Sequence, residues 1–247
     1  MRIVMWSGPR NLSTAMMRSF GARADTDVVD EPFYAAYLAI TGLDHPMRAE
    51  ILAAGETDWR RVAARLSEAP PPGRLRYEKH MAHHMVPQID LGWIAGAKVA
   101  FLIRDPREVA ASYAAKREAF TLDDLGIDRQ AELFAACTEM LGTAPPVVDA
   151  ADIRRAPEPV LRALCAALGI GFDPAMLAWE PGPRETDGIW APHWYAAVNR
   201  STGFAPPPAR PGPPASPEPE IAAMLAPAME SYRALSARAL RGEETSA

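Results

Sequence analysis

One pattern occurs twice in this chain and constrains its fold more than anything else. A short, wholly apolar run breaks at a proline-containing turn and resumes with apolar residues at helical spacing. "IVMW" (residues 3–6) gives way to Ser7-Gly8-Pro9-Arg10 and then to Ala15, Met16, Met17 and Phe20, and "AKVAFLI" (97–103) gives way to "RDPREVAASYAAKREA". Strands apolar on both sides belong to parallel sheets covered by helices on both faces. The rest of the chain follows suit. Strands are expected at residues 27–29, at 74–80 ("RLRYEKH") and within 145–153 ("PPVVDAADI"), with two helices across 35–68 and further helices at about 128–141 and 158–169. Asn11, Ser13 or Thr14 can cap the first helix and Gly21 suits its end, while Pro106 fits a first helical turn, where its missing N–H is harmless. Strand and helix alternating in this way predict an α/β architecture.

Composition bounds the functions. With 31 acidic against 26 basic residues the net charge is -5, which disfavours a broad grip on nucleic acid, so any anion site must be built locally. Cys137 and Cys165 both sit in apolar helical stretches and read as reduced core residues, which together with the absence of a signal-like opening points to the cytoplasm. The longest apolar run, "WIAGAKVAFLI", carries Lys98 in its middle, so no membrane span is expected. A single α/β domain over residues 1–205 is the expected organisation. Residues 206–247 then form a proline-rich connector ("GFAPPPARPGPPASPEPE") and a last helix at about 218–240 packed on that domain.

The first turn directs helix N–H groups and the positive end of the helix dipole toward whatever sits in it, which favours an anion. It is not a nucleotide-triphosphatase loop. Counting from Gly8, Ser13 stands at the second glycine, Thr14 at the phosphate lysine and Ala15 at the magnesium-binding hydroxyl of that pattern. Arg10, Ser13 and Thr14 instead suit a transferring group that needs no metal. The second turn repeats the arrangement: Arg104 ends its strand, and Ser112 lies about two turns into the helix. Two basic turns imply two anions, the planar fork of Arg104 being suited to a phosphate unless a neighbouring acid takes it.

"SGPRNLST" followed by "FLIRDPREVAASY" resembles the two nucleotide-binding signatures of the sulfotransferase family. "VVDAADIRRAPEPVLRALCAALGIGFDPAML" is similar to a third segment of that family, in the same order. More narrowly, residues 6–42 resemble the sulfotransferase-like domain fused in some plants to aminotransferase-like proteins. The resemblance implies a three-layer P-loop-like sandwich and transfer of a sulfuryl group from 3'-phosphoadenosine 5'-phosphosulfate (PAPS), without metal, to a hydroxyl or amine of a small acceptor. It implies that residues 10–14 (Arg10, Asn11, Leu12, Ser13, Thr14) hold the 5'-phosphosulfate, Arg10 meeting the sulfuryl group, and that Arg104 and Ser112 hold the 3'-phosphate. Leu12 stands where the family often has glycine and Asn11 where it often has serine.

Such chemistry asks for in-line attack, a base, and positive charge on the leaving oxygen. The resemblance offers two bases, Glu31 after the second strand and His80 after the third, with Lys79 as an assistant at the leaving group. Glu31 could instead pair with an arginine or cap a helix, and His80 could belong to a surface turn with His83 and His84. The spacing of those histidines permits a metal on a helix, but no further ligand is identifiable and none is expected. "IWAPHWYAAVNRSTGF" can form a lid over the nucleotide or an aromatic packing patch, with packing the expectation. A nucleotide-binding module without catalysis is the main competitor. A magnesium-dependent phosphotransferase is disfavoured by the missing loop lysine, and a scaffold by the two aligned turns. Neither the acceptor nor the oligomeric state is legible.

Overall fold

The computed structural model describes residues 1–115, 121–206 and 219–242. Five strands, β1 (Arg2–Ser7), β2 (Thr26–Asp30), β3 (Leu75–Met81), β4 (Lys98–Ile103) and β5 (Val147–Asp149), form one sheet in the order β2-β3-β1-β4-β5, every pair parallel. Between them run α1 (Ser13–Gly21), α2 (Tyr34–Thr41), α3 (Arg48–Ala54), α4 (Trp59–Ser67), α5 (Pro106–Ala115), α6 (Leu122–Leu125) and α7 (Ile127–Leu141). After β5 come α8 (Ala150–Arg155), α9 (Pro157–Leu168), α10 (Ala191–Trp194) and α11 (Pro219–Ser236).

Side-chain alternation divides the core in two. Ile3, Met5, Tyr77, Ala100 and Leu102 face one layer, with Met16, Met17 and Phe20 of α1 and Leu161 and Leu164 of α9. Val4, Trp6, Val99, Phe101 and Ile103 face the other, with Leu133 and Phe134 of α7 and Leu225 and Leu235 of α11. All six residues of β1 are buried, as its unbroken apolar run requires of a central parallel strand. The same period of two decides which β3 residues can reach a ligand.

Several local expectations are corrected. "PPVVDAADI" is strand only over β5; the Asp149 side chain then accepts from the Ala151 N–H and starts α8. Residues 35–68 hold three helices rather than two. None of Asn11, Ser13 and Thr14 caps α1: Leu12 occupies the cap position with φ 62°, and no side-chain hydrogen bond closes the helix start. Most of the proline-rich connector lies outside the described residues. Beyond it α11 packs against α7, and the chain continues so that Leu240 N–H donates to Val147 O at 2.8 Å beside β5. No helix among the described residues is long and apolar enough to cross a membrane.

Candidate active site

A cavity of about 560 Å³ opens at the carboxyl ends of the central strands, where open α/β sheets bind ligands. The β1–α1 loop (residues 10–14) forms one wall, Arg104 and Ser112 of the β4–α5 unit the next, and Glu31, Tyr34, Lys79 and Met81 the far side. Trp194, Tyr195, Arg200 and Ser201, from a segment remote in sequence, also line it. Of the residues expected from sequence to bind the donor or act in catalysis, all but His80 therefore line one space.

The loop is held under strain. Arg10 and Leu12, at φ 61° and 62°, occupy the left-handed region, which costs of the order of 1–3 kcal/mol per non-glycine residue. Contacts with the rest of the fold hold it. Arg104 Nη1 donates to Arg10 O at 2.6 Å, and Asn11 Nδ2 donates to Leu102 O at 3.3 Å. Gly8 passes so close to α6 that a Cβ there would lie 2.7 Å from Leu125 O. Asn11 thus ties the loop to the end of β4 through Nδ2 while it also lines the cavity. Because no side chain caps α1, its first-turn N–H groups are left to whatever enters the cavity. The Arg10 guanidinium lies 5.0 Å from the Tyr113 ring and 5.7 Å from that of Trp194. Arg104 is also paired through Nε with Glu108 at 2.9 Å.

Beyond the loop lies a buried polar cluster. Lys79 Nζ, 1 % exposed, donates to Glu31 Oε1 at 2.5 Å, Asp30 Oδ1 at 2.9 Å and the Tyr195 hydroxyl at 2.6 Å. Tyr195 donates to Asp30, whose Oδ2 also accepts the Gly188 N–H at 3.0 Å. Asp187 next to it holds Arg18 through two hydrogen bonds. These bonds fasten residues 187–195 over the sheet edge, so the late aromatic segment both packs and lines the cavity.

Burial favours the protonated form of Glu31 and, with the negative charge of Asp30 nearby, raises its pKa despite the opposing pull of Lys79. Burial opposes the charge of Lys79, but the two carboxylates outweigh it and hold the ammonium well above its usual range. Glu31 itself has φ 41°, its N–H donating to Lys79 O at 2.9 Å. A carboxylate of raised pKa in a cavity wall is a suitable general base.

His80 is displaced from the role expected of it. It follows Lys79 in β3 and so faces the other layer, against Trp6, Phe33 and Trp93, with Nε2 3.3 Å from Glu78 Oε2. It is 2 % exposed and does not line the cavity. Burial lowers its pKa. Of the other histidines, His83 lines the cavity and burial pushes its pKa down to about 4, while His84 stacks on Tyr34 at 4.5 Å. Among the described residues no group of three or more His, Cys, Asp and Glu is arranged to hold a metal.

A family model described as "Sulfotransferase domain" matches residues 1–239. The chain belongs to the sulfotransferase domain family. Two curated relatives from Arabidopsis thaliana, named branched-chain-amino-acid aminotransferase-like proteins 1 and 2, are 39 % and 38 % identical over 202 residues. That match covers 82 % of this chain and 36 % of each relative, so this sulfotransferase domain spans about a third of their length. Among solved structures, the sulfotransferase domain from the curacin biosynthetic pathway superposes with a TM-score of 0.51 at 20 % identity, covering 81 % of this chain and 83 % of that one. That likeness concerns the fold, and it accords with the parallel sheet described above.

Sequence reasoning gave Lys79 a minor part and missed Asp30 and Tyr195 as its partners. Alternation along β3 could have placed Lys79, since it shares a face with Leu75 and Tyr77. Nothing local could have paired Tyr195 with Asp30, 165 residues away.

Proposed function

We propose that this sulfotransferase domain moves the sulfuryl group of PAPS to a hydroxyl or amine of a small acceptor, without metal. The observation that carries the reading is the shared cavity, in which the strained, uncapped β1–α1 loop, Arg104 with Ser112, and the Glu31 carboxylate all form walls. These residues fit a donor with two anionic ends. The first-turn N–H groups of α1, with Ser13 and Thr14, would hold the 5'-phosphosulfate, while Arg104 and Ser112 would hold the 3'-phosphate. Arg10 would offset the charge that gathers on the bridging oxygen as its bond to sulfur breaks. Glu31 would take the acceptor's proton as the new bond to sulfur forms, and Lys79 would keep that carboxylate in place. The two free, buried thiols suit a reducing, cytoplasmic setting.

A nucleotide-binding module without turnover is the second reading. What favours it is the 2.5 Å bond from Lys79 that already occupies Glu31 Oε1.

Calorimetric titration with adenosine 3',5'-bisphosphate, beside AMP and magnesium-ATP, tests the donor. Tighter binding of the bisphosphate without metal is the expected result. No binding, or a preference for magnesium-ATP, would overturn the assignment. Single-turnover transfer across an acceptor screen then separates the enzyme from the silent binder.

A further inference from the structure

Two hydrogen bonds join the β1–α1 loop to the end of β4, and the donor of each lines the cavity. Left-handed backbone at Arg10 and Leu12 persists only where its surroundings over-determine it. Asn11 supplies one restraint from within the protein. Arg104 supplies another, its Nη1 donating to Arg10 O at 2.6 Å, and Arg104 itself lines the cavity. Its remaining partner is Glu108, one helical turn away, whose side chain is 41 % exposed against 16 % for that of Arg104, so the carboxylate is the partly solvated half of the pair.

We propose that Arg104 is a positioning residue for the loop: the guanidinium that receives an anion at the end of β4 also fixes the Arg10 carbonyl, so the anion orders residues 10–14. The identity of that anion, the donor's 3'-phosphate, rests on the reading given under Proposed function. With Nε on Glu108 and Nη1 on the Arg10 carbonyl, Nη2 is the edge that the described residues leave to the ligand. A phosphate on that edge restricts the guanidinium, and through Nη1 it restricts the carbonyl. The effect continues along Arg10, whose own guanidinium lies 5.0 Å from the Tyr113 ring and 5.7 Å from that of Trp194. A ligand with only a 5'-phosphate would enter the cavity yet leave this restraint slack, so the 3'-phosphate would contribute to loop geometry as well as to affinity.

Hydrogen exchange of the amides of residues 10–14, measured on the full chain with each ligand at saturation, tests this without an acceptor. Adenosine 3',5'-bisphosphate should slow exchange there by about tenfold more than AMP does. The difference should vanish in Arg104→Ala while the bisphosphate still binds at higher concentration. Arg104→Lys, which keeps the charge and loses the fork, should lose it too, and this variant covers the case in which the alanine protein does not fold. Equal slowing by the two ligands in the wild type, or a difference that survives in a variant saturated with bisphosphate, would overturn the proposal and leave the donor assignment standing. Failure of the wild type to bind bisphosphate at all would overturn the donor assignment, and the proposal with it.

Discussion

Lys79 Nζ lies 2.5 Å from Glu31 Oε1, both groups out of water, and the same ammonium bridges to Asp30. The candidate base therefore carries its own counter-ion, and one cation serves two carboxylates.

Removing that cation strands them. Lys79→Met should cost about 3–5 kcal/mol of stability, the usual penalty for leaving a buried charge unpaired. Urea unfolding reads this through the midpoint at constant slope. A loss below about 1 kcal/mol would mean that the cluster does not depend on the ammonium.

The raised pKa of Glu31 makes a signed statement about pH. The folded state holds this proton more tightly than the unfolded chain, whose carboxyl titrates near 4.5. The contribution of Glu31 to stability should therefore fall as pH rises from about 4.5 through the folded value. Transfer should run the other way, with an acid limb above the ordinary glutamate range that rises as the base ionises. Glu31→Gln should abolish the limb and lower single-turnover transfer at least about a hundredfold. A limb unchanged in that variant would remove Glu31 from the reaction.

His80→Asn separates the two bases. Because His80 packs between Trp6, Phe33 and Trp93 on the face away from the cavity, the variant should lose about 1–3 kcal/mol of stability with bisphosphate affinity and transfer nearly intact. A stable His80→Asn protein that no longer transfers would return the base to His80.

Arg10→Ala should depress turnover much more than it weakens bisphosphate binding, since the charge it supplies is needed most on the leaving oxygen. Loss of one such donor is worth about a hundredfold in rate. Comparing the calorimetric dissociation constant with the single-turnover rate checks the split, and an unchanged rate would refute the role.

Much was legible in the sequence because much of it is local. The apolar runs at residues 3–6 and 97–103 can be stable only between two layers of helix, and the turns after them place Arg10 and Arg104 at strand ends whatever else the chain does. The order of the motifs along the chain was enough to indicate the family. Tertiary structure decided what depends on facing. A period of two sent Lys79 to the cavity and its neighbour His80 into the opposite layer, a choice fixed only when β3 docked beside β1 in one register. It also closed Tyr195 onto Asp30 and Arg104 onto the Arg10 carbonyl, across 165 and 94 residues of chain. Propensity and spacing act over a few residues, whereas a buried polar group must find its partner wherever the packed fold brings one.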